Sequence, residues 1–317
     1  MPYPRPDERT LHEWQTIGRL LRDQSGADQM LLRVAYPTSL DILIASPEGA
    51  LPYAAGERAH RDGSHLCEAV LEKGDLLQIP DIAAEARWDA SPERRAGIGA
   101  YLGALLKWPD GELFGTFAIL FREAISEERC ASLLPLLQTL ATTVELRLAL
   151  LYREEQAHYD ATHDALTGLA NETLFNELAD YQIKHARRSG VELWMLAWEI
   201  DDYAQLQTSL GIEASDDLLR AATERAKSCI RQSDVIARIG DNLFTALVGA
   251  ANEFVASAVA DRIQRNTRRL KARTEDRSGI TLSVGTSPWT SGEPMDVWRA
   301  RTLEAMHQAR QGGGDQT

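Results

Sequence analysis

The sequence predicts a mixed α/β (α+β) protein of two domains joined by a long helix, and three observations support this prediction. The chain has 317 residues, which is enough for two domains of ordinary size. Hydrophobic residues make up 44% of it and charged residues 26%, as in globular domains. Strand-like apolar runs alternate with helical patterns in each half, and a helical stretch at about 126–157 separates the halves.

The first half predicts an antiparallel sheet accompanied by helices. Leu11, Trp14, Ile17 and Leu21 recur at helical spacing, so the chain begins with an amphipathic helix. The turn signals Pro-Thr-Ser and Pro-Asp-Gly each separate two strand-like runs. The predicted elements are helices over 7–23 and 64–73 and strands at 30–36, 40–46, 76–80, 98–108 and 112–121.

A long helix is predicted to begin near Ser126, with Glu127 and Glu128 in its first turn, where carboxylates suit the helix dipole. It carries a stripe close to a heptad pattern, interrupted by Arg147. Either the stripe pairs with a second copy, making a homodimer, or it packs on its own domain; periodicity alone does not separate the two. The stripe consists of Leu133, Leu137, Leu140, Val144 and Leu151.

The second half alternates helices and strands in the order of a split βαβ plan. Its first strand, 192–200, is almost wholly apolar and is expected to be buried. A hairpin with its turn at Gly240-Asp241-Asn242 is predicted over 235–249. The other elements are helices at about 171–188, 202–209, 213–230, 253–272 and 294–311 and a strand at 280–287.

Composition excludes several classes of function. The net charge is −13 and both halves are acidic, which argues against nucleic acid as a partner because phosphate neutralisation drives such binding. Three distant cysteines provide no disulfide framework or zinc-type pair. No apolar run approaches 18 residues and the N-terminus lacks a signal-peptide pattern, so we expect a cytoplasmic chain without a membrane span.

Residues 27–150 resemble a GAF domain. A helix, the pattern G-x-x-L-x-I-P-D at 74–81 and a G-x-x-x-G-T-F hairpin follow the family order. The resemblance implies a sensory or dimerising module and names no ligand; the Asn-Lys-Phe-Asp-Glu set of cyclic-nucleotide-binding members is not found. His60, His65 and Cys67 form a short cluster that suits metal or haem iron. Surface histidines beside a buried cysteine produce the same pattern, and we expect that simpler arrangement.

Residues 160–317 resemble a GGDEF (diguanylate cyclase) domain. Four segments carry the resemblance in the family order: HDALTGLANETLF at 163–175, ARIGDNLFTAL at 237–247, ITLSVGTS at 280–287 and EAMHQARQGGG at 304–314. Active members join two GTP molecules into cyclic di-GMP, with metal ions neutralising the charge that develops on the phosphates. The family takes one metal carboxylate from the first strand and one from the central signature.

The signature here departs from the family at the chemical centre. The strand carboxylate is Glu199 where the family has Asp, and Asn242 replaces the acid of the signature. Asp241 replaces a glycine that lets the backbone approach the phosphates. The phosphate-facing lysine corresponds to Ala204. We therefore expect no cyclase turnover and no cofactor, with Mg²⁺ required only if the domain is a divergent cyclase.

Other family positions are partly retained. Gln207 and Asp216 correspond to the guanine-contacting pair, and Arg310 to the terminal lysine. The family's product-binding motif, Arg-x-x-Asp five residues before the signature, is present as Arg231 and Asp234. A third arginine of that site corresponds to Arg262. Arginine binds phosphate bidentately and stacks on guanine, although an exposed pair at a helix end would look the same.

Three hypotheses follow from these resemblances. In the first, a GAF sensor controls a catalytically degenerate GGDEF domain, which binds cyclic di-GMP at Arg231, Asp234 and Arg262 and signals to a protein partner. In the second, the domain is a divergent cyclase that holds metal with Glu199 and Asp241. In the third, it is a nucleotide-free dimerisation or docking scaffold. The missing acid pair in GDNLF favours the first over the second.

Overall fold

The computed structural model describes residues 3–46, 51–270 and 280–312. The chain divides into two compact units, Met1–Gln156 and Ala157–Thr317. Each unit is built on its own antiparallel sheet, as the alternation of apolar runs predicts. The mixed α/β fold class predicted from the sequence is therefore confirmed.

The first unit contains a six-stranded sheet in the order β3-β2-β1-β6-β5-β4, with antiparallel pairing throughout. Asp7 caps the first helix by accepting a hydrogen bond from the Thr10 N–H. The helices are α1 (Glu8–Ser25), α2 (Leu66–Lys73) and α3 (Pro92–Arg95), with two 3₁₀ turns at Ile82–Ala84 and Ala86–Trp88. The strands are β1 (Gln29–Ala35), β2 (Ser39–Ser46), β3 (Arg58–His60), β4 (Leu77–Ile79), β5 (Ala100–Lys107) and β6 (Leu113–Phe121).

Both faces of this sheet are covered, so its strands are apolar on both sides. Leu32 and Phe117 face α1 and the long helix that follows β6, in a core that includes Trp14. Leu31 and Tyr101 face the opposite side, where α2 and the 3₁₀ turns pack. Neighbouring residues of β1 thus lie in different cores, as the two-residue period of a strand requires.

The long helix α4 spans Glu127–Thr162, five residues beyond the predicted end. Its predicted stripe is not free to pair with a second copy, because Leu133, Leu137 and Val144 are buried in the core of the first unit. Of the predicted alternatives, the structure therefore supports packing on its own domain. Its outward face instead exposes Leu146 and Leu150, whose side chains are 66% and 45% accessible.

By length and composition, α4 is also the one helix within the described ranges that is able to cross a membrane. No such helix was predicted from the sequence. A core helix of an ordinary globular domain meets the same criteria, and Leu137, Val144 and Leu148 are fully buried against the sheet. Only 28% of the apolar window of α4 is buried, however, and the remainder includes the exposed Leu146 and Leu150.

The second unit contains a four-stranded antiparallel sheet in the order β10-β7-β9-β8. Strands β7 and β8 are joined through two helices, and β9 inserts between them, which is the predicted split βαβ arrangement. The last residues predicted for the helix at 253–272 lie outside the described residues. The elements are α5 (Glu172–Ser189), β7 (Leu193–Ile200), α6 (Tyr203–Leu210), α7 (Ile212–Lys227), β8 (Val235–Arg238), β9 (Leu243–Gly249), α8 (Glu253–Thr267), β10 (Leu282–Pro288) and α9 (Met295–Gln311).

Candidate functional site

The signature residues lie in the tight connection between β8 and β9, beside the end of β7. The pairing of Glu199 with Leu243 brings the last residues of β7 next to the hairpin. The Ile239 N–H donates to the Leu243 carbonyl and closes the turn. Antiparallel registration of these strands therefore assembles positions that are 44 residues apart in the sequence.

Asn242 is held by the backbone of β7. Its Oδ1 accepts a hydrogen bond from the Ile200 N–H at 3.1 Å, and its Nδ2 donates to the Ile200 carbonyl at 2.6 Å. Both functions of the amide are thus used within the protein. The side chain at the family's metal-binding position acts here as a link between two strands.

Glu199, the strand carboxylate, also has a protein partner. Arg310 on α9 donates from Nη1 to its Oε2 at 3.2 Å, and the Glu199 side chain is 21% accessible. Magnesium requires carboxylate oxygens in tight octahedral geometry. With an amide at position 242 and a guanidinium on Glu199, the residues present do not fit a Mg²⁺ ion.

A cavity of about 350 Å³ opens beside this hairpin. It contains most of the residues that the resemblance assigned to the vestigial nucleotide site, so the structure brings those positions together. Tyr203 and Arg238, which were not predicted from the sequence, line the cavity as well. The lining residues are Tyr203, Ala204, Gln207, Asp216, Arg238, Asp241, Asn242 and Arg310.

Arg238 connects the cavity to Asp164, in the opening segment of the second unit. Its Nη1 lies 3.0 Å and 3.1 Å from the two carboxylate oxygens of Asp164, and its Nη2 donates to the Asp241 carbonyl. Burial by itself raises the pKa of Asp164, but hydrogen bonds from Thr167 and Arg238 outweigh it and hold this pKa below the ordinary value. A charged residue on an otherwise apolar strand was the signal for Arg238 in the sequence.

The predicted product-binding residues lie at the turn between α7 and β8. Asp234 Oδ2 accepts a hydrogen bond from the Arg231 N–H at 3.0 Å, which fixes the turn, and the Arg231 side chain is exposed. Arg262 on α8 donates to the carbonyl of Cys229, two residues before Arg231. The structure therefore brings the guanidinium of Arg262 to the same turn.

Comparison with known proteins gives a consistent result for this half of the chain. The family model described as "Diguanylate cyclase, GGDEF domain" matches residues 161–316. The chain is 30% identical over 167 residues to the cyclic di-GMP phosphodiesterase NbdA of Pseudomonas aeruginosa, covering 51% of this chain and 21% of that protein. It is 27% identical over 143 residues to the diguanylate cyclase DosC of Escherichia coli K12, covering 44% of this chain and 31% of that protein.

The chain thus spans between a fifth and a third of the length of these two relatives. Among solved structures, it is similar to the coiled coil and GGDEF domain of DgcB from Caulobacter crescentus, crystallised with c-di-GMP. The TM-score is 0.50 at 24% identity, over 58% of this chain and 96% of that one, which supports the fold. Residues 161–316 of this chain are a GGDEF domain.

Proposed function

We propose that this protein acts in cyclic di-GMP signalling as a receptor, with a GGDEF domain that binds the dinucleotide without making it. In this proposal residues 27–150 are a GAF-type sensory module, and α4 carries the signal between the modules. The contact between Asn242 and Ile200 is the main support. Position 242 would have to supply a metal ligand for catalysis, and here its side-chain oxygen and nitrogen are both hydrogen-bonded to the Ile200 backbone.

The charges around the hairpin add to this argument. Phosphoryl transfer needs cations that bridge the phosphates and neutralise the developing charge. Here the cavity has Ala204 where the family has lysine and an exposed carboxylate, Asp241, on the hairpin itself. A carboxylate at that point repels a triphosphate, and the guanidiniums of Arg310 and Arg238 are already paired with Glu199 and Asp164.

The turn at Arg231, unlike the hairpin, carries positive charge that is available to an anionic ligand. The exposed Arg231 guanidinium has no ion pair among the described residues, so its N–H donors are available to a ligand. Its planar fork is suited to bidentate contact with phosphate and to stacking on guanine. The second arginine, Arg262, is held close by through the Cys229 carbonyl. A rigid turn with two guanidiniums is a suitable receptor for a cyclic dinucleotide with two phosphates.

The relatives support this assignment in two ways. The solved GGDEF domain of DgcB was crystallised with c-di-GMP. NbdA, one of the relatives, is named a phosphodiesterase, so similarity in this region is not restricted to proteins named as cyclases. For the first unit, the support is a six-stranded antiparallel sheet with helices on both faces, together with the sequence patterns quoted above.

Calorimetric titration of cyclic di-GMP into nucleotide-free protein tests the proposal. We expect saturable binding in the micromolar range, roughly −8 kcal/mol at 1 μM, and its loss in Arg231→Ala. The matched control is Arg225→Ala, a substitution of an exposed arginine on α7, the helix that precedes this turn. No binding by the wild type overturns the receptor function and favours the docking scaffold.

A second measurement separates the receptor from a divergent cyclase. Purified protein is incubated with GTP and Mg²⁺, and the products are separated by chromatography. We expect no cyclic di-GMP above the level obtained without protein. Product that disappears in Glu199→Gln would instead show that Glu199, with Asp241 or another acid, still holds a metal.

A further inference from the structure

The cavity beside the β8–β9 turn is open and large enough for a small molecule. Its volume is about 350 Å³, which lies at the lower end of the range for small-molecule sites. All of its lining residues belong to the second unit, and none of them is Arg231, Asp234 or Arg262. The cavity is therefore a second candidate site, separate from the turn that is proposed to bind cyclic di-GMP.

Both arginines that line this cavity are neutralised by carboxylates outside its lining. Arg238 Nη1 lies 3.0 Å from Asp164 Oδ1, and Arg310 Nη1 lies 3.2 Å from Glu199 Oε2. Neither Asp164 nor Glu199 belongs to the wall of the cavity. The positive charge of the two arginines is thus compensated and gives an anion little reason to enter.

Two carboxylates of the lining, in contrast, have no hydrogen bond or ion pair among the residues that the structure describes. Asp216 on α7 is half-buried, and Asp241 on the turn is exposed. The next residue along α7, Asp217, is paired with Arg220 instead. The cavity therefore contains two negative charges that no described side chain balances.

The two carboxylates act on the same aromatic side chain. Tyr203 on α6 lines the cavity and is half-buried. Burial is the main cause that raises the pKa of its hydroxyl. The charges of Asp216 and Asp241 raise this pKa further, against a hydrogen bond with Ser215 and the charge of Arg238. A ligand that contacts Tyr203 is thus within electrostatic reach of both carboxylates.

The charged cluster of the first unit differs, because its members pair with one another. Arg33 Nη1 lies 2.9 Å from the Cys67 sulfur and 3.4 Å from Glu93 Oε1, and that oxygen lies 3.2 Å from His65 Nδ1. The His65 side chain is only 11% accessible, so it is not the surface histidine expected from the sequence, whereas His60 is exposed on β3. The charges of Arg33 and Glu93 compensate each other and leave none for a ligand.

We propose that the cavity of the second unit binds a small organic cation with amino or guanidinium groups, held by Asp216 and Asp241. Such groups donate charge-assisted hydrogen bonds to carboxylates. The ring of Tyr203 adds an aromatic surface to which cations are attracted. The Gln207 amide oxygen is a further acceptor, and Ala204 is a small apolar part of the wall. An aliphatic diamine combines two cationic ends with an apolar chain and fits this set of groups.

A divalent metal ion is the other kind of ligand that two carboxylates attract, and the cavity suits it less well. Mg²⁺ and Ca²⁺ need several oxygens that converge at short distances. Asp216 and Asp241 come from different elements, and the side-chain oxygen of Asn242 is already hydrogen-bonded to Ile200. A metal ion would also gain nothing from the aromatic and apolar parts of the wall.

Calorimetric titration of putrescine, a four-carbon diamine, and of agmatine, which has a guanidinium at one end, tests the proposal on the full chain. Sodium chloride and magnesium chloride at the same ionic strength are the references. We expect saturable binding of putrescine or agmatine and a rise in Tm that neither salt produces. Because no cyclic di-GMP is present, the result does not depend on the proposed receptor function.

Asp216→Asn keeps the shape of the side chain and removes its charge, so it should weaken amine binding at least about tenfold. Asp241→Asn should weaken binding in the same direction. Neither substitution breaks a hydrogen bond or ion pair of the described residues, so both variants should fold as the wild type does, which thermal unfolding verifies. The matched control is Asp217→Asn, which removes the same charge from an exposed neighbouring position and should leave the affinity within about twofold.

Three results would overturn the proposal. The first is the absence of saturable amine binding by the wild type. The second is an equal loss of affinity in Asp216→Asn and Asp217→Asn, or no loss in either cavity variant, because cations would then be attracted only by the overall acidity of the chain. The third is a response to magnesium chloride as large as the response to the amines, which would identify a general anionic surface.

Discussion

The side-chain amide of Asn242 and the backbone of Ile200 form two hydrogen bonds across the β7–β9 edge, at 3.1 Å and 2.6 Å. One uses the amide oxygen as acceptor and the other uses the amide nitrogen as donor. A carboxylate has two acceptors and no donor when ionised. In an aspartate at this position, one oxygen would therefore face the Ile200 carbonyl oxygen without a proton between them.

Asn242→Asp should consequently destabilise the second unit by about 1 kcal/mol, toward the lower end of the cost of leaving a buried polar group unsatisfied, because Asn242 is only partly buried. Mg²⁺ should recover part of this loss, because a cation between the carboxylate and the Ile200 carbonyl restores an attraction. Urea unfolding with and without Mg²⁺ measures both effects, with the wild type as the reference that should not respond. An aspartate variant as stable as the wild type in the absence of metal would show that the amide pairing contributes little.

The pair of Arg238 and Asp164 makes a prediction about acid stability. The folded-state pKa of Asp164 is below its ordinary value of 3.8, so its contribution to stability is complete above 3.8 and is lost as pH falls through the folded-state pKa. Asp164→Asn should therefore be less stable than the wild type at pH 7, by roughly 1 kcal/mol for a partly exposed group. The difference should shrink as the pH falls below 3.8. Unfolding free energies at pH 7 and pH 3 check this, and a difference that grows toward low pH would contradict it.

Alanine substitutions of Arg231 and Arg262 should abolish binding of cyclic di-GMP while changing the free energy of unfolding only slightly. Arg231 is exposed and its guanidinium has no hydrogen bond or ion pair among the described residues. Arg231→Ala should therefore change stability by less than about 0.5 kcal/mol. Arg262→Ala leaves the Cys229 carbonyl without its side-chain donor and should cost about 0.5–1.5 kcal/mol. Titration calorimetry should find cyclic di-GMP binding lost in both variants. Full affinity in either one would place the dinucleotide elsewhere.

The outward face of α4 predicts the position of a dimer contact. Leu146 and Leu150 are exposed one helical turn apart, and no residue of the first unit's core depends on them. If two copies pair through this face, the double substitution Leu146→Glu, Leu150→Glu should shift the protein to monomer while leaving its Tm almost unchanged. Analytical ultracentrifugation measures the shift. Leu20→Glu, on α1, is the matched control at another exposed leucine, and a double variant that stays as associated as the wild type would exclude this face.

Several parts of the structure were not accessible from sequence patterns. The leucine stripe of α4 was open to two interpretations, because a heptad-like period describes a face without naming what covers it. The sheet of the first unit covers it, in a core that includes residues of β1, β5 and β6, which all come earlier in the chain. The cavity residues Tyr203 and Arg238 were missed for a similar reason, since they come together with Gln207 and Asp216 only when the hairpin folds beside α6 and α7.

By itself, the sequence determined the two halves, the alternation of strands and helices, and the departures of GDNLF from the GGDEF signature, because these depend on residue type and short spacings. Only the tertiary structure decided that Asn242 is used by the Ile200 backbone, that Glu199 is paired with Arg310, and that Arg33 sits buried against Cys67 and Glu93. These are contacts between residues 34 to 111 positions apart. Hydrogen bonds and ion pairs act over a few ångströms, so only the packing of the folded chain determines which side chains have partners and which remain free to bind.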